Sequence, residues 1–169
     1  GEATLRENLA AGILLRAGWA ELAASGAAFL DPLCGSGTLV IEAAMIAAER
    51  APGLQRDYWG FTGWRGHNAA LWCELLAEAR ARARTTVPNL LRGSDRDPAV
   101  LRNAVDNARR AGVAQLLSFE TCAVSEARPR GAGGGRRRRG AVARAPPAAA
   151  PRRAGEGLGP RGRRGGPGG

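Results

Sequence analysis

Apolar positions recur along this chain with changing periods, and the changes mark its elements. Leu5, Leu9, Ile13 or Leu14 and Ala17 fall at three- and four-residue intervals, which predicts one face of a helix over about 4–17. Glu7 stands three places after Thr4, the spacing of a reciprocal cap at a helix start. Residues 27–31 form a short apolar run ending in Asp31-Pro32, too short for a helix between Gly26 and Pro32, and suited to a buried parallel strand. Gly35 and Gly37 then precede an apolar stretch over 39–50 that Pro52 and Gly53 close, giving strand, glycine loop and helix in succession. Residues 54–66 are turn-rich and aromatic, and 67–84 predict a further helix with Leu71, Leu75 and Leu76 turned inward, stopped by Pro88. Residues 87–91 predict a strand leading into Gly93-Ser94-Asp95, Asp97-Pro98 opens a helix to about residue 111, and 116–122 a third strand. Such alternation of helix and strand implies a parallel sheet with right-handed crossovers.

This pattern stops near residue 125. From there to the end, 40 of 44 residues are Gly, Ala, Pro or Arg, with Val142 and Leu158 the larger apolar side chains. So little apolar surface cannot offset the entropy of an ordered chain, and a disordered tail is expected over 126–169 behind a folded part over 1–125. The division changes the meaning of the net charge of +10: residues 1–125 hold 13 Arg against 13 acidic residues, whereas the tail holds 12 Arg against 2. The folded part is formally neutral. Cys34, Cys73 and Cys122 are odd in number and in no Cys-x-x-Cys pair, so neither a disulfide framework nor a metal site is suggested, and a reducing cytoplasm fits. No apolar run approaches the roughly 20 residues that cross a bilayer, so no membrane partner is expected.

In an open parallel sheet a ligand binds beyond the carboxyl ends of the strands, where amides at a helix start are free to donate. Residues 31–38 occupy that place, and Gly35 and Gly37 let the loop turn sharply under a bulky ligand. Asp95, ending the next strand, can accept from ribose hydroxyls. The chain contains no lysine, which excludes a phosphate-binding loop of the Gly-Lys-Ser/Thr kind. A dinucleotide fingerprint would need a third glycine where Val40 stands and an acid roughly 20 residues on, whereas Asp95 is much farther away.

Asp31-Pro-Leu-Cys-Gly-Ser-Gly-Thr38, Ile41-Glu-Ala-Ala44 and Gly93-Ser-Asp-Arg-Asp-Pro98 together resemble the cofactor half of class I methyltransferases. The resemblance is closest to bacterial 23S rRNA guanine-N2 methyltransferases that carry a THUMP domain, and it extends over about residues 2–127, including Leu5-Arg-Glu-Asn-Leu9 and the segment from Ala51 to Trp72. It implies an α/β, Rossmann-like fold represented by its first three parallel strands, S-adenosylmethionine as cofactor, and large-subunit ribosomal RNA as partner. By the same resemblance Asp31, Pro32, Cys34, Gly35, Ser36, Gly37 and Thr38 form the cofactor loop, with Asp31, Gly35 and Gly37 around the methionine part. Asp95 binds ribose, and Arg96 and Asp97 border adenine. The family's next acidic contact has no counterpart in Thr121-Cys122-Ala123. Nor does its Asn-Pro-Pro-Tyr motif appear, since no Asn follows Asn107. A guanine amine is a poor nucleophile that such a motif must hold in line with the methyl group, so this chain is expected to transfer negligibly and to be a fragment lacking that motif and the THUMP domain.

Other features carry alternatives. Tyr58, Trp59, Phe61, Trp64 and Trp72 suit a base-stacking platform, or a cluster closing a loop over the core. Cys34 reads as a small buried side chain rather than a nucleophile, and His67 as a residue at a helix start. The tail resembles an arginine-glycine arm gripping RNA phosphates, which would make the chain a non-catalytic RNA-binding fragment. The favoured reading is instead a GC-rich gene read out of frame, since Gly, Ala, Pro and Arg have codons of G and C alone and the change falls where a fourth strand would begin.

Overall fold

The computed structural model describes residues 5–128 and the backbone of 141–142. The first apolar stripe becomes α1 (Glu7–Arg16), shorter than expected, because Ala17 and Gly18 close it and a second helix, α2 (Trp19–Ala24), starts behind the left-handed Gly18. Arg6 is the N-cap of α1 and makes no side-chain capping bond; Thr4, the expected cap, lies outside the described residues. The short apolar run gives β1 (Phe29–Asp31), and the glycine loop leads into α3 (Thr38–Ala47). After a 3₁₀ turn at Gly60–Gly63 come α4 (Ala69–Arg82), β2 (Leu91–Asp95), α5 (Pro98–Ala111), a second 3₁₀ turn at Ala114–Leu116, and β3 (Leu117–Thr121). β2 therefore begins at Leu91, and the Gly93-Ser94-Asp95 segment is itself the strand.

The sheet order is β3-β2-β1, wholly parallel, with Phe29 opposite Leu91 and Leu91 opposite Leu117. Both crossovers run in the same direction across the sheet, so right-handedness puts α3 and α5 on one face. That face carries the core: Phe29 and Leu91 meet Val40, Ile41, Ala44, Leu101 and Ala108. Trp19 is 1% exposed, packs edge-on against Phe29 at 5.0 Å between ring centroids, and donates its indole N–H to the Ala43 carbonyl at 2.9 Å. The one polar group of this large side chain is thus satisfied where water cannot reach it. Asn89 donates to the carbonyls of Ala23 and Ala27, tying the approach to β2 onto the end of α2.

Within the segment assigned to the tail, Ala141–Val142 form β4 parallel to β1, with Phe29 opposite Ala141 and Leu30 opposite Val142. Pairing of this kind draws on main-chain amides and carbonyls alone, which any extended dipeptide supplies, so composition gives no warning of it. The rest of the 126–169 segment from residue 129 on lies outside the described residues. Leu71 and Leu75 of α4, expected inside, are 50% and 47% exposed. α4 buries none of its residues fully; it is attached through Trp72, whose ring lies 5.1 Å from Trp59 and 4.8 Å from Phe61.

Candidate functional site

β1 ends at Asp31 because Pro32 cannot donate to a ladder, and the chain turns over the carboxyl end of β2. Three bonds hold the loop there. The Cys34 amide donates to the Ser94 carbonyl at 2.9 Å, the Gly35 amide to Asp95 Oδ2 at 3.1 Å, and the Gly37 amide back to the Cys34 carbonyl at 2.8 Å. Asn107, on the third turn of α5, donates through Nδ2 to the Ser36 carbonyl at 2.9 Å, a support that no sequence signal announces. Ser36 and Thr38 bring their hydroxyls within 3.4 Å of each other.

Gly35 and Gly37 both adopt left-handed backbone, with φ of 52° and 83°. Gly37 is the N-cap of α3, and a Cβ there would come within 3.0 Å of the Ala104 methyl. A Cβ on Gly35 would meet nothing within 4 Å, so this glycine keeps open the space above the loop. Cys34 is buried, and its sulfur lies where a Cβ on Gly93 would be 3.0 Å away. Burial, with Asp31 and Asp95 nearby, pushes its thiol up to about 12, so it stays protonated and packs as an apolar atom.

Asp95 is engaged on both oxygens: Oδ2 by Gly35 and Oδ1 by the Asp97 amide at 3.0 Å. Each oxygen keeps a further lone pair for a ligand hydroxyl. Asp97 caps α5 by accepting from the Ala99 amide at 2.8 Å, and the Cys122 amide at the end of β3 donates to the Asp95 carbonyl at 3.1 Å. Burial raises the Asp31 carboxyl above the usual carboxylate range; the Leu33 amide that donates to it works the other way, and the charge of Asp95 raises it further. The structure therefore assembles Asp31, Cys34, Gly35, Ser36, Gly37, Thr38, Asp95 and Asp97 at one end of the sheet, with Pro32 in the loop and Arg96 exposed beside them.

The aromatic residues divide. Trp59, Phe61 and Trp72 pack on one another, and His67 lies 5.8 Å from Phe61 in the loop before α4 rather than on the helix itself. Tyr58 and Trp64 are each 73% exposed. Among the described residues no group of three His, Cys, Asp or Glu side chains is placed to hold a metal ion, and no helix is long and apolar enough to cross a membrane.

A parallel sheet whose first strand runs into a glycine loop, tied to the carboxylate that ends the second strand, defines the class I methyltransferase fold. Within that class, the chain belongs to the RMKL-like methyltransferase domain family (UPF0020), which matches residues 1–133. It is 54% identical over 126 residues to the ribosomal RNA large subunit methyltransferase K/L of Syntrophotalea carbinolica, covering 73% of this chain and 18% of that protein. The corresponding protein of Allochromatium vinosum is 52% identical over 129 residues, covering 75% of this chain and 18% of the relative. The chain thus spans under a fifth of the curated relatives it matches. Among solved structures, SMU.472, crystallised in complex with SAH, is similar at a TM-score of 0.66 and 33% identity, over 79% of this chain and 34% of that one.

Proposed function

We propose that residues 1–125 are the S-adenosylmethionine-binding part of an enzyme that methylates large-subunit ribosomal RNA in the cytoplasm, at the N2 amine of a guanine. The observation that carries the cofactor reading is the bond from the Gly35 amide to Asp95, which sets the half-buried Asp31 carboxylate, an open glycine and an acidic strand end around one space. When bound, S-adenosylmethionine supplies an electrophilic methyl group on a sulfonium.

The residues fit that ligand. Burial holds the Asp31 carboxyl above its ordinary pKa, a cost to its charged form that the α-ammonium of the methionine part offsets. Gly35 and Gly37 admit the ligand close to the main chain, and the free amides in the first turn of α3 favour its carboxylate. Asp95 accepts from the ribose hydroxyls through the lone pairs its amide partners leave, and Arg96 and Asp97 border the adenine. Pro32, Cys34, Ser36 and Thr38 shape the loop that carries these contacts. No residue is assigned to proton transfer or to holding the amine, because the sequence contains no Asn-Pro-Pro-Tyr.

Calorimetry with S-adenosylhomocysteine tests the reading. The chain binds it, and Asp95→Ala removes the heat of binding; unchanged affinity in that variant would show the site misplaced. Methyl transfer from labelled cofactor to ribosomal RNA by this chain alone is negligible, and clear transfer would overturn the view that the amine-holding groups lie outside it.

A further inference from the structure

A second concavity adjoins the glycine loop. Its volume is about 680 Å³, and it lies between the start of α1, the flank of α3, the segment 50–56 and the end of α5, touching Ser36 and Thr38 at its inner edge. Arg6, Arg50, Arg56 and Arg110 line it, contributed by three separate parts of the chain: the start of α1, the segment 50–56 and the end of α5. Four other arginines meet carboxylates, Arg82 and Arg84 at Glu49, Arg92 at Glu120 and Arg109 at Asp106, while Arg16, Arg65, Arg80, Arg96 and Arg102 form no such ion pair among the described residues. What sets the cleft arginines apart is their convergence on one concavity. Among the described residues none of the four cleft arginines has such a partner.

Their contacts orient them without neutralising them. Arg50 lies beside the Gln55 side-chain amide, Arg110 reaches Asn107, and Arg56 lies over the Trp59 ring at 5.9 Å from its centroid. Two carboxyls, Glu7 and Glu42, also line the cleft, against four arginines, and burial and then the charge of Glu7 raise the Glu42 carboxyl above its ordinary pKa. Immediately beyond Arg56 the same loop exposes Tyr58 and, after the 3₁₀ turn, Trp64.

We propose that this cleft seats the backbone of a single-stranded RNA segment, with Tyr58 and Trp64 stacking on its bases, and so leads the substrate to the glycine loop. Arginine forks match phosphate oxygens in pairs, and a groove of unpaired arginines joined to exposed ring faces is the physical form of single-strand recognition. A small anion would use neither the length of the cleft nor the rings. A duplex keeps its base faces stacked and unavailable to Tyr58 and Trp64. The assignment rests on the reading that the enzyme's substrate is ribosomal RNA, and extends it to a path on this chain.

The test uses the full chain and a thiouridine-containing single-stranded oligonucleotide of about 12 nucleotides, within the usual site size. Photo-crosslinks map to Tyr58 or Trp64. The double variant Arg50→Gln/Arg56→Gln flattens the log-log dependence of affinity on salt by about 1.4, from about 0.7 per phosphate contact on a single strand. Trp64→Ala weakens binding about tenfold, one stacked base being removed. Neutralising Arg136, Arg137, Arg138 and Arg139 lowers overall affinity but leaves the crosslinked residues unchanged. Crosslinks confined to residues beyond 128, or an unchanged salt slope in the double variant, overturn the proposal. Should the double variant lose its circular-dichroism spectrum, Tyr58→Ala and Trp64→Ala, at exposed positions, decide alone. S-adenosylhomocysteine calorimetry on the same proteins separates the two readings: failure to bind it sinks the cofactor site, whereas absent crosslinks with binding retained sink only the RNA path.

Discussion

Gly35 and Gly37 look alike in the sequence and share a left-handed backbone, yet a methyl group would cost them differently. At Gly37 it adds a 3.0 Å approach to Ala104 to the backbone strain, whereas at Gly35 it projects into open space. Gly37→Ala should lower stability by about 2 kcal/mol, read from the denaturant midpoint. Gly35→Ala should lower it less and weaken S-adenosylhomocysteine binding at least as strongly as it weakens the fold. A different residue-scale effect sits at Glu42, whose folded-state pKa is raised by burial and then by Glu7. The folded chain then binds this proton more tightly than the unfolded chain does. Its contribution to stability is present in acid and is lost as pH rises from the ordinary glutamate value, about 4.3, through the raised one. Glu42→Gln should therefore raise the melting temperature at pH 7, and the gain should shrink toward zero in acid of about pH 3. A gain independent of pH would mean that packing, not charge, is the cause.

Two helices show what could be read from sequence at the scale of an element and what could not. α5 follows its local chemistry: Asp97 caps it, Pro98 occupies the first turn and Gly112 ends it at φ of 70°, all steps that need no distant partner. Asp97→Ala should cost about 1 kcal/mol and shorten the helical signal in circular dichroism. α4 has apolar residues at helical spacing too, but spacing states which side chains share a face and not whether another element covers it. Here Leu71 stays half exposed, and Leu75 opens onto a groove beside α3. Leu71→Gln should change stability by less than about 0.5 kcal/mol, while Trp72→Ala, removing the ring that joins α4 to Trp59 and Phe61, should cost about 3 kcal/mol. The candidate site divides in the same way. Residues 31–38 and 95–97 were legible because a turn between strand and helix has few chemical solutions. Asn107 and the cleft arginines were not, because only the packing of α5 against α3 and the segment 50–56 brings them together.

At the scale of the whole molecule, the sheet leaves β1 with a second edge whose amides and carbonyls need partners. Ala141–Val142 meet part of that need, and the sequence could not show it because backbone pairing is indifferent to the glycine, alanine and arginine around it. An exposed parallel edge beside an apolar strand invites pairing with another copy of the chain, whereas a covered one does not. Ending the chain at Arg128 should accordingly speed self-association measured by light scattering. That deletion also removes 11 arginines, whose mutual repulsion opposes association on its own, so it cannot identify the cause. Ala141→Pro/Val142→Pro keeps every charge and deletes both amide donors, whichever of them faces β1. If edge pairing protects the fold, this double variant should associate nearly as fast as the truncated chain, and added salt should change its rate little. If it stays monodisperse while neutralising the tail arginines causes aggregation, charge alone keeps the molecules apart, and β4 contributes nothing to solubility.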